Sequence, residues 1–177
     1  MQKRKSVFHS VQGLTLAAMM AAMSVMIGIF CKNFLNFGNG LFRITFENIP
    51  IIFSGIVFGP IVGGMVGAAS DLISYLLSSQ VYPPNLIVTL GAFSIGAVSG
   101  LVSRFVIRKR GTLQTVVSAG LAHVIGSMTV KPFGLYQFYG VAVLFRIPLY
   151  LVIATLEICI LCWLFRRKFF ERILESR

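Results

Sequence analysis

Apolar residues fill long blocks of this chain, and short polar breaks separate the blocks. Crossing a hydrocarbon core as a helix takes ~20 apolar residues, so each block is weighed as a span. The first is expected at about 11–31. The connection that follows, 32–43, carries Asn33, Asn36, Gly38, Asn39 and Gly40 and reads as turns or a mobile loop. The next apolar stretch, 44–77, is too long for one span and is interrupted by Phe58-Gly59-Pro60. Proline disfavours a helical residue before it and donates no hydrogen bond, which predicts two spans, 46–59 and 60–77. The first of these holds only fourteen residues. At ~1.5 Å per residue it falls short of a ~30 Å core, which implies an aqueous cavity or a buried loop at one face. A polar break with Pro83-Pro84 then precedes spans at 86–107, 113–130 and 141–165. The segment 131–140, with Phe133, Tyr136, Phe138 and Tyr139, reads as a loop. The expected fold class is all-α: one polytopic domain over 1–177, six transmembrane helices in a compact bundle, with no soluble domain and no low-complexity tail.

Composition agrees with spans and removes other classes. The chain is 56% hydrophobic and 12% charged, with a mean hydropathy of +0.86, leaving too little polar surface for a soluble globule. Sixteen Lys and Arg against five acids give a net charge of +11, yet the cations stand in short clusters between apolar runs. That arrangement sets orientation in a membrane; a nucleic-acid surface would need a continuous stripe, so nucleic acid is not an expected partner. Twelve of the sixteen fall in three groups, Lys3 to Lys5, Arg104 to Arg110 and Arg166 to Arg177. Six spans place all three groups on one side, with both termini cytoplasmic, whereas five spans would make the two halves of the chain disagree. The expected location is a cell membrane, multi-pass, bacterial cytoplasmic in kind. Lys3, Arg4 and Lys5 before an apolar run resemble a secretory signal, but the run is long and lacks a small-residue cleavage site, so it is read as the first span. Cys159 and Cys162 form a CxxC inside an apolar helix, where small buried hydrophobes are the expected role, as for Cys31.

Small residues recur at helical spacing in the first span, Gly13, Ala17, Ala21, Ser24 and Gly28 with Ala18 and Ala22 beside them, and such stripes let helices approach closely. They recur in the third span, Gly63, Gly64, Gly67 and Ala68, and in the fourth, Ala92, Gly96 and Gly100, so internal packing competes with an outside partner. Acids inside spans are costly and face a cavity or a partner; Glu47, Asp71 and Glu157 qualify. Asp71 shares a helix face with Tyr75, and Arg146 shares one with Tyr150 and Glu157. Structural ion pairs would explain these acids as well as ligand contact would, and Arg43 stands four residues from Glu47, close enough to satisfy it.

Lys32, Arg43, Lys131 and Arg146 fall on the outer side against the orientation rule. Three of them stand beside aromatics: Phe42 and Phe46 for Arg43, Tyr136 and its neighbours for Lys131, Phe145 and Tyr150 for Arg146. Aromatic walls with a few fixed cations suit a flat ring bearing carboxylates. An interfacial aromatic belt with Lys131 snorkelling to headgroups is the structural alternative. Catalytic signals are thin: His123 is alone in its span, and no GxSxG, HExxH or phosphate loop occurs. No enzyme activity, cofactor or metal is expected.

The run Arg43-Ile-Thr-Phe-Glu-Asn-Ile-Pro-Ile-Ile, then Gly55, Phe58-Gly59-Pro60, Gly63-Gly64, Gly67-Ala68 and Asp71, resembles the substrate-binding S components of energy-coupling factor (ECF) vitamin transporters. Lys131-Pro-Phe-Gly, Arg146-Ile-Pro-Leu-Tyr and Glu157 extend the resemblance over nearly the whole chain, and folate-specific members are the most similar. The resemblance implies a six-helix bundle with an outward vitamin pocket under a lid at 32–43, assembled with a coupling membrane subunit and two cytoplasmic ATPases. It implies docking of the coupling subunit on an AxxxA face, matched by Ala17 with Ala21 and Ala18 with Ala22. Folate would be bound by aromatics stacking its rings, Arg43 or Arg146 on its carboxylates and Asp71 on the pterin amino edge. The expected binding set is Arg43, Phe46, Glu47, Asp71, Tyr75, Lys131, Tyr136, Arg146 and Tyr150. Other vitamins of the family, thiamine, riboflavin, pantothenate or queuosine precursors, remain open, as does a membrane enzyme using Asp71, His123 and Glu157 or a channel-like structural protein.

Overall fold

A computed structural model describes residues 11–37, 42–77, 85–106 and 111–166. Ten of the twelve basic residues used for orientation, the tip of the 32–43 connection and the Pro83-Pro84 break lie outside them. Among the described residues the fold is helical, apart from one antiparallel pairing of two-residue strands, β1 (Asn36–Phe37) with β2 (Phe42–Arg43). The helices are α1 (Val11–Phe34), α2 (Asn48–Phe58), α3 (Pro60–Leu77), α4 (Leu86–Leu101), α5 (Thr112–Ala122), α6 (Lys131–Tyr139) and α7 (Arg146–Phe165). Wider π turns carry α4 on to Val106 and link α5 to α6, and a 3₁₀ turn links α6 to α7.

The break between α2 and α3 falls at Gly59-Pro60. Gly59 has φ of +100°, a conformation that side chains disfavour, and its N–H donates to Gly55 O at 2.9 Å. The Arg104 side chain lies where a Gly59 Cβ would stand, and its Nη2 donates to Phe58 O at 2.6 Å. One arginine thereby satisfies a carbonyl freed at the end of α2.

Helix α3 packs most extensively on α4, with α2 against both. A Cβ on Gly63 would come within 2.6 Å of Gly96 O, and one on Gly96 would overlap Gly63 O. The two backbones touch, which is how apolar helices gain packing where lipid offers no hydrophobic drive. Ile51, Ile52, Phe58, Ile95 and Leu161 form the interior, while Leu14, Phe30, Leu76 and Phe133 face outward. Exposed large apolar side chains all round a helical bundle fit a lipid surroundings.

Four helical stretches are long and apolar enough to cross a membrane: Val11–Phe34, Pro60–Leu77, Leu86–Val106 and Thr112–Phe165. The last contains 54 residues, ~80 Å if straight, well over twice a ~30 Å core. It is not straight, because α5 and α7 pack against each other. The reversal occurs at Gly140, whose φ is +56°. The loop expected at 131–140 is therefore corrected to a helix, α6, closed at Gly140. Pro132 does not break it, since it stands in the first turn, where its missing N–H costs nothing. Helix α2, with 11 residues, is as short as the sequence implies.

Candidate functional site

The start of α2 builds the site. Ser24 of α1 donates to Glu47 O at 2.7 Å, and Glu47 N donates to Thr45 Oγ1 at 3.3 Å, which hold the turn leading into the helix. Gly28 leaves room for the Glu47 carboxylate, since a Cβ there would lie 2.7 Å from Oε2. From α6, Lys131 reaches inward over Gly91, where a Cβ would lie 2.7 Å from the lysine Cγ. Its Nζ donates to Asn48 Oδ1 at 3.3 Å and approaches Glu47 Oε1 at 3.5 Å. Lys131 is only 8% exposed, so it does not snorkel to the surface as its structural alternative required.

Lys131 and Glu47 line a hollow with Ser24, Ser70, Asp71, Ser74, Ile51 and Ala92. The hollow opens outward, and the space between its atoms, open solvent included, is about 200 Å³. Asp71 accepts a hydrogen bond from Thr89 Oγ1 at 2.7 Å, and Lys32 Nζ donates to Ser74 O at 3.3 Å. The floor thus presents two carboxylates, three serine hydroxyls and one ammonium inside an apolar bundle. Such groups are expensive to bury unless something uses them.

Behind Asn48 lies a second buried layer. Asn48 Nδ2 donates to Glu157 Oε2 at 3.3 Å, and the same oxygen lies 2.9 Å from His123 Nε2. The His123 contact is short and joins two fully buried side chains. His123 Nδ1 meets Ser127 Oγ at 3.2 Å. Glu157 Oε1 has no hydrogen-bond partner among the described residues. Four helical elements thereby supply one chain of groups, Glu47, Lys131, Asn48, Glu157, His123 and Ser127.

Of the residues singled out in the sequence, Glu47, Asp71 and Lys131 come together at the hollow. Phe46 and Tyr75 are half-buried next to it in sequence, Tyr150 is half-buried on α7, and Tyr136 is exposed on α6. Arg146 is buried, with its guanidinium 5.4 Å from the centre of the Tyr139 ring, and does not line the hollow. The Arg43 side chain lies outside the described residues, so its pairing with Glu47 is not described; Lys131 is one partner of Glu47. Ala17 is buried in the core and Ala21 half-buried, Ser70 Oγ donating to Ala21 O at 3.4 Å, whereas Ala18 and Ala22 are exposed. The sequence reading passed over Asn48, Thr89, Ser70 and Ser74, and set His123 aside as a packing residue. A usable signal existed for the serines, which stand four apart on either side of Asp71 in an otherwise apolar helix.

The sequence pattern that defines the substrate-specific components of ECF transporters matches residues 12–174. The chain belongs to that family. This S component, a membrane protein of a transporter family, is 29% identical over 123 residues to the folate transporter FolT of Clostridium novyi, covering 69% of each chain. It is 32% identical over 100 residues to an uncharacterized protein of Mycoplasma pneumoniae, a homolog of MG098, of which it spans 20% of the length. Its fold matches a crystal structure of FolT bound with folic acid with a TM-score of 0.68, covering 88% of this chain and 93% of that one at 22% identity.

Proposed function

We propose that this S component captures folate from outside the cell. The observation that carries the reading is the buried Lys131 ammonium facing Asp71 across the hydroxyl-lined hollow. A pterin has an amino edge that donates to a carboxylate and a ring carbonyl that accepts from an ammonium, so Asp71 and Lys131 offer it complementary groups. The polar lining of the hollow would meet one end of the vitamin. The remainder would lie outward, with Phe46, Tyr75, Tyr136 and Tyr150 available for stacking and Arg43 or Arg146 for the carboxylates. Similarity to a curated folate transporter supports the same ligand.

The accompanying architecture is six transmembrane segments with both termini cytoplasmic, in a bacterial cytoplasmic membrane. Two crossings come from the stretch that reverses at Gly140, and the short α2 completes six. A coupling membrane subunit and two cytoplasmic ATPases would power delivery, this chain itself performing no chemical turnover. Ala18 and Ala22 form the exposed AxxxA pair available to the coupling subunit, while Ala17 and Ala21 serve packing. The deciding test is calorimetric titration of the purified protein with folic acid, with mass spectrometry of small molecules released on denaturation. Tight binding of one equivalent is expected; no folic acid bound, or another vitamin recovered, overturns the folate assignment.

A further inference from the structure

The layer behind the hollow contains a charge pair that the ligand does not touch. Asn48 stands between the two layers, its Oδ1 accepting from Lys131 and its Nδ2 donating to Glu157. Turned the other way, the amide would set its donors against the lysine ammonium and its carbonyl against the glutamate. Glu157 therefore fixes the amide, and the amide fixes where Lys131 points. Glu157 is 0% exposed and His123 2%, so an uncompensated carboxylate there would act over a long distance in a medium of low dielectric. Among the described residues, the ionisable group in contact with it is His123, Nε2 at 2.9 Å.

We infer that His123 is a positioning residue for ligand capture: its contact engages the Glu157 carboxylate, and through Asn48 this leaves the Lys131 ammonium turned toward the hollow. Without the imidazole, Glu157 draws on the same ammonium through Asn48, and less of its charge is offered to an acceptor on the ligand. The groups facing this layer are few. Among the described residues α2, α4 and α5 bring no ionisable side chain, α6 brings Lys131, and α7 brings Glu157. Glu47 lies on the far side of Lys131, and Arg146, eleven residues before Glu157 on α7, is roughly 16 Å away along the helix.

This inference rests on the hollow being the folate pocket, and the test separates the two. Folic acid affinity is measured calorimetrically for the purified wild-type chain, for His123→Gln and for His123→Gln with Glu157→Gln, with thermal melting to establish folding. Expected are a His123→Gln variant weaker on the order of tenfold and recovery in the double variant, where no carboxylate needs compensating. A structural role for His123 would give no such recovery. A His123→Gln variant as tight as the wild type, or a double variant as weak as the single one, overturns this inference and leaves the folate reading intact. Absence of folic acid binding by the wild type overturns both.

Discussion

Lys131 and Gly59 show two ways in which single residues shape the proposed site and the fold. Lys131 brings a cation into a layer where burial would be prohibitive without Asn48 and Glu47, and its stem is shaped to Gly91. Lys131→Met keeps the stem and removes the charge. Its expected effect is folic acid affinity lower by ~10- to 100-fold, the range of a lost charged hydrogen bond, with melting temperature little changed, measured by titration and thermal scanning. At Gly59 the constraint is backbone. Gly59→Ala meets both a φ of +100° and the Arg104 side chain, and a loss of roughly 1–3 kcal/mol is expected in the unfolding equilibrium of the detergent-solubilised protein. The same two residues show what a sequence discloses. Gly59-Pro60 was legible because glycine and proline act through their own covalent geometry. The approach of Lys131 to Glu47 was not, because the two stand 84 positions apart and the lysine is aimed by the packing of α6.

At the scale of elements, α1 has two faces with different surroundings. Ala17 and Ala21 lie against the bundle, while Ala18 and Ala22 leave a shallow strip exposed. Filling that strip by Ala18→Leu and Ala22→Leu is expected to abolish folate uptake in cells that carry the coupling subunit and ATPases, with folic acid affinity of the isolated protein unchanged. Uptake at the wild-type level would remove docking on this face. The sequence could name both pairs but not sort them, because a stripe of small residues repeats around the helix and only neighbouring helices distinguish its sides. Helix α6 was hidden for a related reason. A lysine, a proline and a run of aromatics look like a loop one by one, but Pro132 sits in a first turn and Gly134 packs against Ile87 and Val88 of α4.

For the whole molecule, the pattern of long apolar blocks pointed to the helical class, since a membrane punishes unpaired backbone and allows few alternatives. What pattern could not supply was the site, a meeting of five helical elements at one depth. Orientation is a further expectation at this scale: cysteine substituted at either end of the chain should react with a membrane-impermeant thiol reagent only after cells are opened, and labelling of intact cells would reverse the assignment.

Helix α2 is 11 residues long, ~16 Å, and begins at Glu47 and Asn48 and ends at Gly59 beside Arg104. In the proposed orientation Arg104 marks the inner water boundary, which sinks the floor of the hollow to about the middle of a ~30 Å film. A negative charge carried that far crosses half the electric field of the energised membrane, against an inside-negative voltage. At ~2.3 kcal/mol per charge for the full drop at 100 mV, half the path costs ~1 kcal/mol, about fivefold in affinity. Polarised proteoliposomes should therefore hold folic acid less tightly than depolarised ones to whatever extent the vitamin's anionic end follows its ring inward, and the size of that difference would measure how deep the charge is taken.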